Sequence, residues 1–184
     1  MSDIFKHFLD RSLSHVIRFS SHEQHFRESV AEHSFYVTYF VAVICHLLKK
    51  AGETIDEAKA IKIALVHDME EAFTGDIVSP FKHYSEELLS AIRKVNQEVI
   101  QEVFEDLPGD LSSDFISLWQ EDLEQKTREA QVVKLADKIS VVAKAYEEVK
   151  AGNEFFKPVY EKHFKELQEL DHPWWQKIKG EILP

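Results

Sequence analysis

Two histidines and two aspartates lie in helical stretches whose other residues are mostly apolar. His67 and Asp68 follow an apolar run, His33 lies one turn into another helical stretch, and Asp137 lies in a third. A buried carboxylate without a partner destabilises the folded state by several kcal/mol, so each aspartate needs a cation, a histidine or a metal ion beside it. Together the four residues would form one mixed nitrogen–oxygen site. Such a ligand set suits a borderline or hard divalent cation, and manganese, cobalt, magnesium, zinc, nickel and iron all fit it.

Each of these residues also has an ordinary structural explanation. A His-Asp pair is a short motif that occurs often by chance, and a lone histidine in an apolar helix is commonly a hydrogen-bonded core residue. Asp137 has Lys134 three residues earlier as an ion-pair partner. The order, spacing and flanking residues of the whole set favour the metal interpretation. The single cysteine, Cys45, excludes a thiolate-rich structural zinc site.

The elements that position these residues are predicted to be helices throughout. The hydrophobic residues recur with a helical period, no segment alternates as a strand would, and 5 Gly and 5 Pro leave little room for tight turns. Helices are predicted over residues 3–19, 29–50, 54–73, 85–105, 113–121 and 127–150, followed by one or two amphipathic helices over 155–184. Capping boxes at 29–32 and 54–57 begin two of them, and Gly52 ends the second helix. We therefore expect an all-α bundle of about six to eight helices that forms one domain over residues 1–184.

The composition excludes several classes of partner. With a formal net charge of −11 the chain has no basic footprint for a nucleic-acid polymer, so duplex DNA and long RNA are not expected to bind. The first ten residues lack the charged-then-apolar order of a signal peptide. The apolar run 35–48 is too short for a membrane span and contains Thr38 and His46, so we expect a buried core helix and no membrane association. The lone Cys45 cannot form an internal disulfide, which fits the cytoplasm.

Three segments resemble the signature segments of the HD-domain phosphohydrolases. They are residues 28–33 (ESVAEH), 64–77 (ALVHDMEEAFTGDI) and 133–138 (VKLADK). In the second segment, a glutamate four residues after the histidine and the following Thr-Gly-Asp are similar to the 5′-deoxynucleotidase branch, as is the stretch 115–119 with the acidic residues after it. The resemblance covers about residues 5–165. It assigns no role to the C-terminal Trp174-Trp175 pair.

The resemblance implies a fold, a cofactor and an activity. The fold is the all-α HD domain, and the cofactor is one divalent metal ion held by His33, His67, Asp68 and Asp137. The activity is removal of the 5′-phosphate from (deoxy)nucleoside monophosphates. Family members are commonly homodimers and differ in their metal, so a homodimer is also expected, whereas the metal is not specified.

Further residues are candidates for moving a proton or contacting the substrate. Glu71 lies one helical turn beyond His67; the alternative is a solvated surface glutamate, and the resemblance favours a role in proton transfer. Asp76, in the following loop, would orient water or accept a hydrogen bond from a sugar hydroxyl; the alternative is a simple turn aspartate. Arg18 would contact the phosphate through its planar guanidinium; the alternative is a surface ion pair. The family tends to place Trp next to this arginine, and Phe19 in its place leaves open how sharply deoxyribose is separated from ribose.

Rival functions follow from the same motifs. Guanosine-polyphosphate and cyclic-nucleotide hydrolases also use His-Asp helices, but the polyphosphate hydrolases usually have Glu-Asp where this chain has Glu70-Glu71. Bimetallic phosphodiesterases need a further histidine, for which His83 is the nearest candidate. A non-catalytic nucleotide-binding module would have a degenerate site, and the intact residue set argues against it. Arg27 is a second candidate for phosphate contact or a surface ion-pair residue, and Glu70 is expected to be solvated.

Overall fold

The regular structure of residues 2–184, the part of the chain that the computed structural model describes, is helical. The α-helices are α1 (Asp3–Leu9), α2 (Val30–Lys50), α3 (Glu57–Val66), α4 (Glu71–Thr74), α5 (Ser79–Lys82), α6 (Glu86–Val103), α7 (Gly109–Glu124), α8 (Arg128–Lys150), α9 (Lys157–Glu169) and α10 (Pro173–Ile182). Two of these, α4 and α5, have four residues each, and the others have seven or more. Two 3₁₀ turns lie at Ser12–Ser14 and Glu154–Phe156. The prediction of an all-α fold is confirmed.

The helix that carries His33 begins and ends where the sequence predicts. The Ser29 hydroxyl accepts a hydrogen bond from the Glu32 backbone N–H at 3.2 Å, and the Glu32 carboxylate accepts one from the Ser29 N–H at 2.7 Å. This capping box satisfies two backbone donors that would otherwise lack a partner. Gly52 follows α2 with a φ of 81°, a conformation that strains other residues. Local sequence therefore fixes both ends of α2.

The first predicted helix is wrong in extent, because α1 ends at Leu9 and not near Phe19. Asp10 Oδ1 accepts a hydrogen bond from the Ser12 backbone N–H at 2.8 Å, so a side chain competes with the helical pattern and begins the 3₁₀ turn. Phe19 has a φ of 53°, which no α-helix contains. The segment between α1 and α2 is therefore irregular, and it carries Arg18 and Phe19.

The boundaries of α3 also differ from the prediction. Its N-cap is Asp56, whose side chain accepts a hydrogen bond from the Lys59 N–H at 3.0 Å, so the capping box predicted at 54–57 is wrong. The helix ends at Val66, and a turn over 67–70 separates it from α4. The predicted single helix is thus two helices joined by the turn that contains His67 and Asp68.

The core lies between α2, α3 and α8, with α7, α9 and α10 packed around them. The largest fully buried side chains include Trp119, Trp175, Phe104 and Phe156. Trp119 comes from α7, which extends beyond the predicted 113–121 at both ends. This packing holds in register the three helices that carry or precede the predicted metal ligands.

The Trp pair near the C-terminus belongs to this core. Trp175 is fully buried, and its indole N–H donates to the Leu167 carbonyl oxygen at 3.1 Å. The Trp174 indole N–H donates to Gln131 Oε1 at 3.3 Å. The segment 155–184 forms α9 and α10 after a 3₁₀ turn, within the predicted one or two helices. The pair therefore anchors the C-terminal helices to the rest of the fold.

The predicted apolar run 35–48 lies inside α2, which over an 18-residue window is long and apolar enough to cross a membrane by length and composition alone. The prediction that this segment is too short is therefore wrong. The core helix of a soluble protein passes the same test, and 33% of that window is buried inside the protein. One face, with Val37 and Val41, is buried as predicted, whereas the opposite face exposes Phe35 and Tyr39. The prediction of a core helix is therefore confirmed for one face of α2.

Candidate metal centre

The four predicted ligands come together where the turn after α3 meets α2 and α8. The Nε2 atoms of His33 and His67 are 3.3 Å apart. Asp68 Oδ2 lies 3.4 Å from the His33 Nε2 and 3.1 Å from the His67 Nε2. Asp137 Oδ1 reaches the same His33 Nε2 at 3.5 Å. The ligand atoms of His33, His67 and Asp68 all lie within 4.8 Å of one another, which is the geometry of a metal-binding group.

These separations fit a divalent cation. Two ligands with metal bonds of about 2.1 Å lie about 3.0 Å apart at a right angle and about 3.4 Å apart at the tetrahedral angle. The distances among the imidazole nitrogens and carboxylate oxygens cover this range. Two imidazole nitrogens and carboxylate oxygens are also the donors that such ions bind. The spacing of His33, His67 and Asp68 therefore fits one metal ion. Asp137 adjoins this group through His33, at 3.5 Å, but is not one of the three residues whose ligand atoms all lie within 4.8 Å of one another.

Each histidine has a partner on its other ring nitrogen. The His67 Nδ1–H donates to the Ala64 carbonyl oxygen at 2.8 Å, and the His33 Nδ1 lies 3.0 Å from the Ser140 hydroxyl oxygen. These contacts fix the rings so that both Nε2 atoms face the site. The sequence analysis assigned neither partner. Ser140 had one signal, its position three residues after Asp137 on the same helix face, whereas a backbone carbonyl leaves no signal in the sequence.

Asp137 has two of the three kinds of partner that the sequence left open, a cation and a histidine. Its Oδ2 accepts a hydrogen bond from Lys134 Nζ at 2.8 Å, and its Oδ1 faces His33. Burial disfavours ionisation of Asp137, but the charges of Lys134 and His33 hold its pKa well below the ordinary value. The ion pair and the metal-ligand position are therefore compatible, because they use different oxygens.

The charges at the site are strongly coupled. Burial disfavours the charged form of His67, but the charge and hydrogen bond of Asp68, together with Asp137, raise the pKa of His67 to about 10. The pKa of Asp68 is held well below its ordinary value, because the charge of His67 and the hydrogen bonds from both histidines outweigh burial. In the absence of a cation, the imidazole of His67 is therefore protonated and the carboxylate of Asp68 is charged.

Glu71 is a half-buried carboxyl group without a partner. Its Oε2 is inaccessible to solvent and has no hydrogen-bond partner among residues 2–184. Burial, followed by the charges of Asp68 and Asp76, raises the pKa of Glu71 to about 10. A carboxyl group with a raised pKa beside a metal-binding cluster has the properties required of a general acid.

Glu70, expected to be solvated, is buried, and that prediction is wrong. Its side chain is 5% exposed. Its Oε2 accepts a hydrogen bond from the Trp119 indole N–H at 2.7 Å, and its Oε1 accepts one from the Asn96 side-chain amide at 3.3 Å. Burial and the nearby Asp68 raise the pKa of Glu70 to about 7. The prediction failed because α3 and α4 are separate helices, so a single helical face did not describe both glutamates.

Arg18, Phe19 and Asp76 form a neighbouring group. The Arg18 guanidinium is largely buried and pairs with Glu28 at 2.7 Å. Burial lowers the pKa of Arg18, but the charges of Asp137, Glu28 and Asp68 raise it above its ordinary value, so the guanidinium lies in the negative field of the metal centre. The Phe19 backbone N–H donates to Asp76 Oδ2 at 3.1 Å. The turn carboxylate of Asp76 therefore connects the irregular N-terminal segment to the segment after α4.

The remaining candidates lie apart from this cluster. Arg27 is exposed, as its surface alternative requires, and His83 is exposed at the end of α5. Among residues 2–184 the group with metal-binding geometry contains two histidines and no third. The arrangement thus lacks the further histidine that a bimetallic phosphodiesterase needs.

Residues 5–184 match the family model described as 5′-deoxynucleotidase YfbR-like. A 5′-deoxynucleotidase of Shewanella oneidensis is 33% identical over 134 residues, which cover 70% of this chain and 66% of that protein. The 5′-deoxynucleotidase VP0926 of Vibrio parahaemolyticus is 32% identical over 159 residues, which cover 85% of this chain and 81% of that protein. The chain thus spans about two thirds of the length of the first relative and four fifths of the second.

Solved structures share the fold. An HD-domain phosphohydrolase from Listeria innocua superposes with a TM-score of 0.82 and 25% identity, covering 98% of this chain and 88% of that one. The cyanophage S-2L HD phosphohydrolase, bound to dA and one catalytic Zn²⁺ ion, superposes with a TM-score of 0.64 and 19% identity. It covers 98% of this chain and 94% of that one, and at this identity the likeness is one of fold.

Proposed function

The chain belongs to the YfbR-like 5′-deoxynucleotidase family of HD-domain phosphohydrolases, and we propose that it hydrolyses the 5′-phosphate ester of (deoxy)nucleoside monophosphates. The observation that carries the proposal is the convergence of two imidazole nitrogens and two carboxylates, beside an unpartnered carboxyl group of raised pKa. This combination supplies a metal site and a proton donor within one small region. The product pair would be a nucleoside and inorganic phosphate.

His33, His67, Asp68 and Asp137 would hold one divalent metal ion, whose identity the ligand types do not choose. When bound, such an ion polarises a phosphoryl oxygen and lowers the pKa of a coordinated water. The cyanophage S-2L HD phosphohydrolase, which shares the fold, holds one catalytic Zn²⁺ ion. Zinc is one candidate for this chain beside manganese, cobalt, magnesium, nickel and iron.

Glu71 would transfer the proton. Its carboxyl group holds the proton in the absence of a cation, because burial and the charges of Asp68 and Asp76 raise its pKa. A nearby divalent charge favours the ionised form of a carboxyl group and so brings this pKa down towards neutrality. At neutral pH the side chain can then give a proton to the leaving 5′-oxygen and receive one from water.

Arg18, Phe19 and Asp76 would contact the substrate. A guanidinium has five N–H donors, so Arg18 can keep Glu28 as a partner and still bind a phosphate oxygen. Phe19 offers a ring edge or face to the nucleoside but no indole N–H. One carboxylate oxygen of Asp76 accepts a hydrogen bond from the Phe19 backbone N–H, and the second oxygen can bind water or a sugar hydroxyl.

We also propose a cytoplasmic homodimer that binds no nucleic-acid polymer. The buried, unpaired Cys45 is compatible with a reducing compartment. The outer face of α2 exposes four large apolar or aromatic side chains in register, Phe35, Tyr36, Tyr39 and Val43. An apolar row of this kind on a surface helix marks an interaction site, and a second copy of the chain would cover it.

A substrate panel tests the activity. Purified protein is incubated with deoxynucleoside and ribonucleoside 5′-monophosphates, with guanosine tetraphosphate and with cyclic nucleotides, each with manganese, cobalt, magnesium or zinc, and released phosphate is measured. We expect release from the 5′-monophosphates. Products from guanosine tetraphosphate or cyclic esters alone would identify the rival hydrolases, and no product from any member would favour the binding module.

A further inference from the structure

Glu70 is buried against two helices that do not carry the metal ligands. We propose that Glu70 is a positioning residue: its carboxylate, held by Trp119 and Asn96, fixes the turn that presents Glu71 to the metal centre. The inference rests on the proposed function for the role of Glu71. It assigns to α6 and α7 a part in the reaction although neither helix carries one of the four predicted metal ligands.

The turn and helix that carry Glu71 cannot hold their own orientation. α4 has four residues and no side-chain cap at its N-terminus. A helix of one turn has too few internal hydrogen bonds to be stable by itself, so tertiary contacts must fix it. Glu71 supplies none of these through its Oε2, which lacks a hydrogen-bond partner among residues 2–184. The position of the Glu71 carboxyl group therefore depends on its backbone.

Glu70 provides the contact that fixes this backbone. The Trp119 indole N–H comes from α7 and the Asn96 amide from α6, and each donates to a different oxygen of the Glu70 carboxylate. All three side chains are buried. Two donors from two helices determine both the place and the rotation of the carboxylate. Because Trp119 is fully buried and packed on all sides, the indole cannot follow a shifted turn without disturbing the core.

The neighbouring glutamates point in different directions because successive helical residues are about 100° apart. Glu70 faces α6 and α7, while the Glu71 backbone N–H donates to the carbonyl oxygen of Asp68 at 3.1 Å, which keeps Glu71 beside the metal centre. One side chain thus anchors the turn and the next one is free to react. An unpartnered proton donor that must reach the substrate gains from such an anchor, since a misplacement of about 1 Å can reduce turnover about 100-fold.

Trp119→Phe is the sharpest test, because phenylalanine keeps most of the ring and removes the N–H. We expect kcat for a 5′-monophosphate to fall about 10- to 100-fold, with KM and metal content within about twofold of the wild type. Glu70→Gln should keep most of the turnover, because its amide oxygen still accepts from the indole and a reversed Asn96 amide accepts from its N–H. Trp175→Phe is the matched control: it removes another fully buried indole N–H, bonded to the Leu167 carbonyl oxygen.

A second measurement does not depend on activity. Hydrogen–deuterium exchange of the backbone amides of residues 68–75 should be faster in Trp119→Phe than in Trp175→Phe. Equal exchange in the two variants, or equal kcat, would overturn the positioning role. If Trp119→Phe does not fold, Asn96→Leu removes the other donor and gives the same comparison. A wild-type protein that releases no phosphate from any 5′-monophosphate would refute the proposed function. The exchange measurement would still decide whether the contacts of Glu70 with Trp119 and Asn96 hold the turn.

Discussion

The two imidazoles at the cluster face each other with their Nε2 atoms 3.3 Å apart, a spacing at which they can share a hydrogen bond or bind one cation. His67 uses its Nδ1–H on the Ala64 carbonyl oxygen. Burial opposes its charged form, yet the neighbouring carboxylates raise its pKa to about 10, so the metal-free ring carries a second proton at neutral pH. A metal ion that binds there must displace this proton, because only an unprotonated nitrogen is a ligand.

Metal binding should therefore release protons. At pH 7, which is below the raised pKa values of both His67 and Glu71, we expect at least about one proton released per metal ion. His67 supplies that proton, and Glu71 adds a fraction as the ion lowers its pKa. The apparent affinity should rise at least about tenfold per pH unit. Calorimetric titration in buffers of different ionisation enthalpy measures the number released. His46→Ala, at an exposed position on α2, is the control and should leave that number unchanged. A heat of binding that is independent of the buffer would contradict this assignment.

Glu71 and Asp137 should fail in different ways when each is changed to alanine. Glu71→Ala removes the proton donor and should reduce kcat by about 10²- to 10⁴-fold while the metal content stays the same. Asp137→Ala removes a ligand and should reduce the metal content itself. Elemental analysis and phosphate release on the same preparations separate the two effects. Near-normal turnover in Glu71→Ala, or full metal content in Asp137→Ala, would count against the respective role.

The candidate site was predictable where residue type alone carried the signal. Imidazoles and carboxylates in apolar helices identified His33, His67, Asp68 and Asp137 as groups that need a partner. The contacts that orient them were not predictable, because a backbone carbonyl leaves no trace in the sequence and serines such as Ser140 are common on helices. The role of a glutamate depends on the direction of its helix face, which requires the exact boundary between α3 and α4.

At the level of elements, the irregular segment before α2 is held by one buried carboxylate on α8. Glu148 is fully buried and accepts hydrogen bonds from the backbone N–H groups of His25 and Phe26, both at 2.9 Å. Lys144 Nζ donates to the same carboxylate at 2.8 Å, and the Asn153 amide donates at 2.9 Å. These contacts connect the chain just before α2 to α8 and so restrain the segment that carries the substrate-contact candidates.

We call these contacts of the Glu148 carboxylate the Glu148 latch, and we expect the protein to lose stability in acid because of it. Burial raises the pKa of Glu148, but the hydrogen bonds from Lys144 and the backbone outweigh it and lower the pKa to about 2, from an ordinary value of 4.5. A carboxyl group whose pKa is lowered by folding stabilises the folded state at any pH above its pKa in the unfolded chain. This contribution is lost as the pH falls through the pKa of the group in the folded state. The latch should thus contribute about 3 kcal/mol above pH 4.5, lost between pH 4.5 and 2.

Urea denaturation of the wild type and of Glu148→Gln at pH 7 and at pH 3 measures this contribution. The variant should be less stable at pH 7 by about 3 kcal/mol, and the difference should shrink at pH 3. Glu147→Gln is the matched control, since Glu147 is the exposed neighbour that also faces Lys144, at 3.4 Å. Equal stability of Glu148→Gln and Glu147→Gln at pH 7 would show that the latch contributes nothing.

The helices were predictable where local signals coincide with the tertiary fold. α2 has a capping box, a long apolar pattern and a glycine stop, and α8 begins directly after Thr127, the first residue of its predicted range. The predicted end of α1 is wrong because the Asp10 side chain competes for a backbone donor. The predicted start of α3 is wrong because Asp56, and not Thr54, caps the helix. Residue spacing could not decide between Thr54 and Asp56 as the cap of α3, because both side chains can accept a hydrogen bond from the first turn of a helix and they are two residues apart.

At the scale of the whole molecule, the net charge opposes the association of two copies of the chain, whereas the exposed apolar face of α2 favours it. Two copies, each with a formal charge of −11, repel each other at long range. The row of Phe35, Tyr36, Tyr39 and Val43 favours contact once the copies meet, because burial of apolar surface contributes about 25 cal/mol per Å². Salt screens the repulsion and leaves the apolar contact intact, so the proposed dimer should strengthen as ionic strength rises.

Light scattering coupled to size-exclusion chromatography tests this balance. The wild type should have twice the chain mass of 21.4 kDa at physiological salt and should shift towards the single-chain mass at low salt. Tyr39→Glu places a charge in the middle of the apolar row and should give the single-chain mass at both salt concentrations, because burial of an unpaired carboxylate is costly. Phe155→Glu changes a side chain that is 70% exposed and lies outside α2, so it should remain dimeric. A Tyr39→Glu protein with the wild-type mass would exclude this face as the contact between copies.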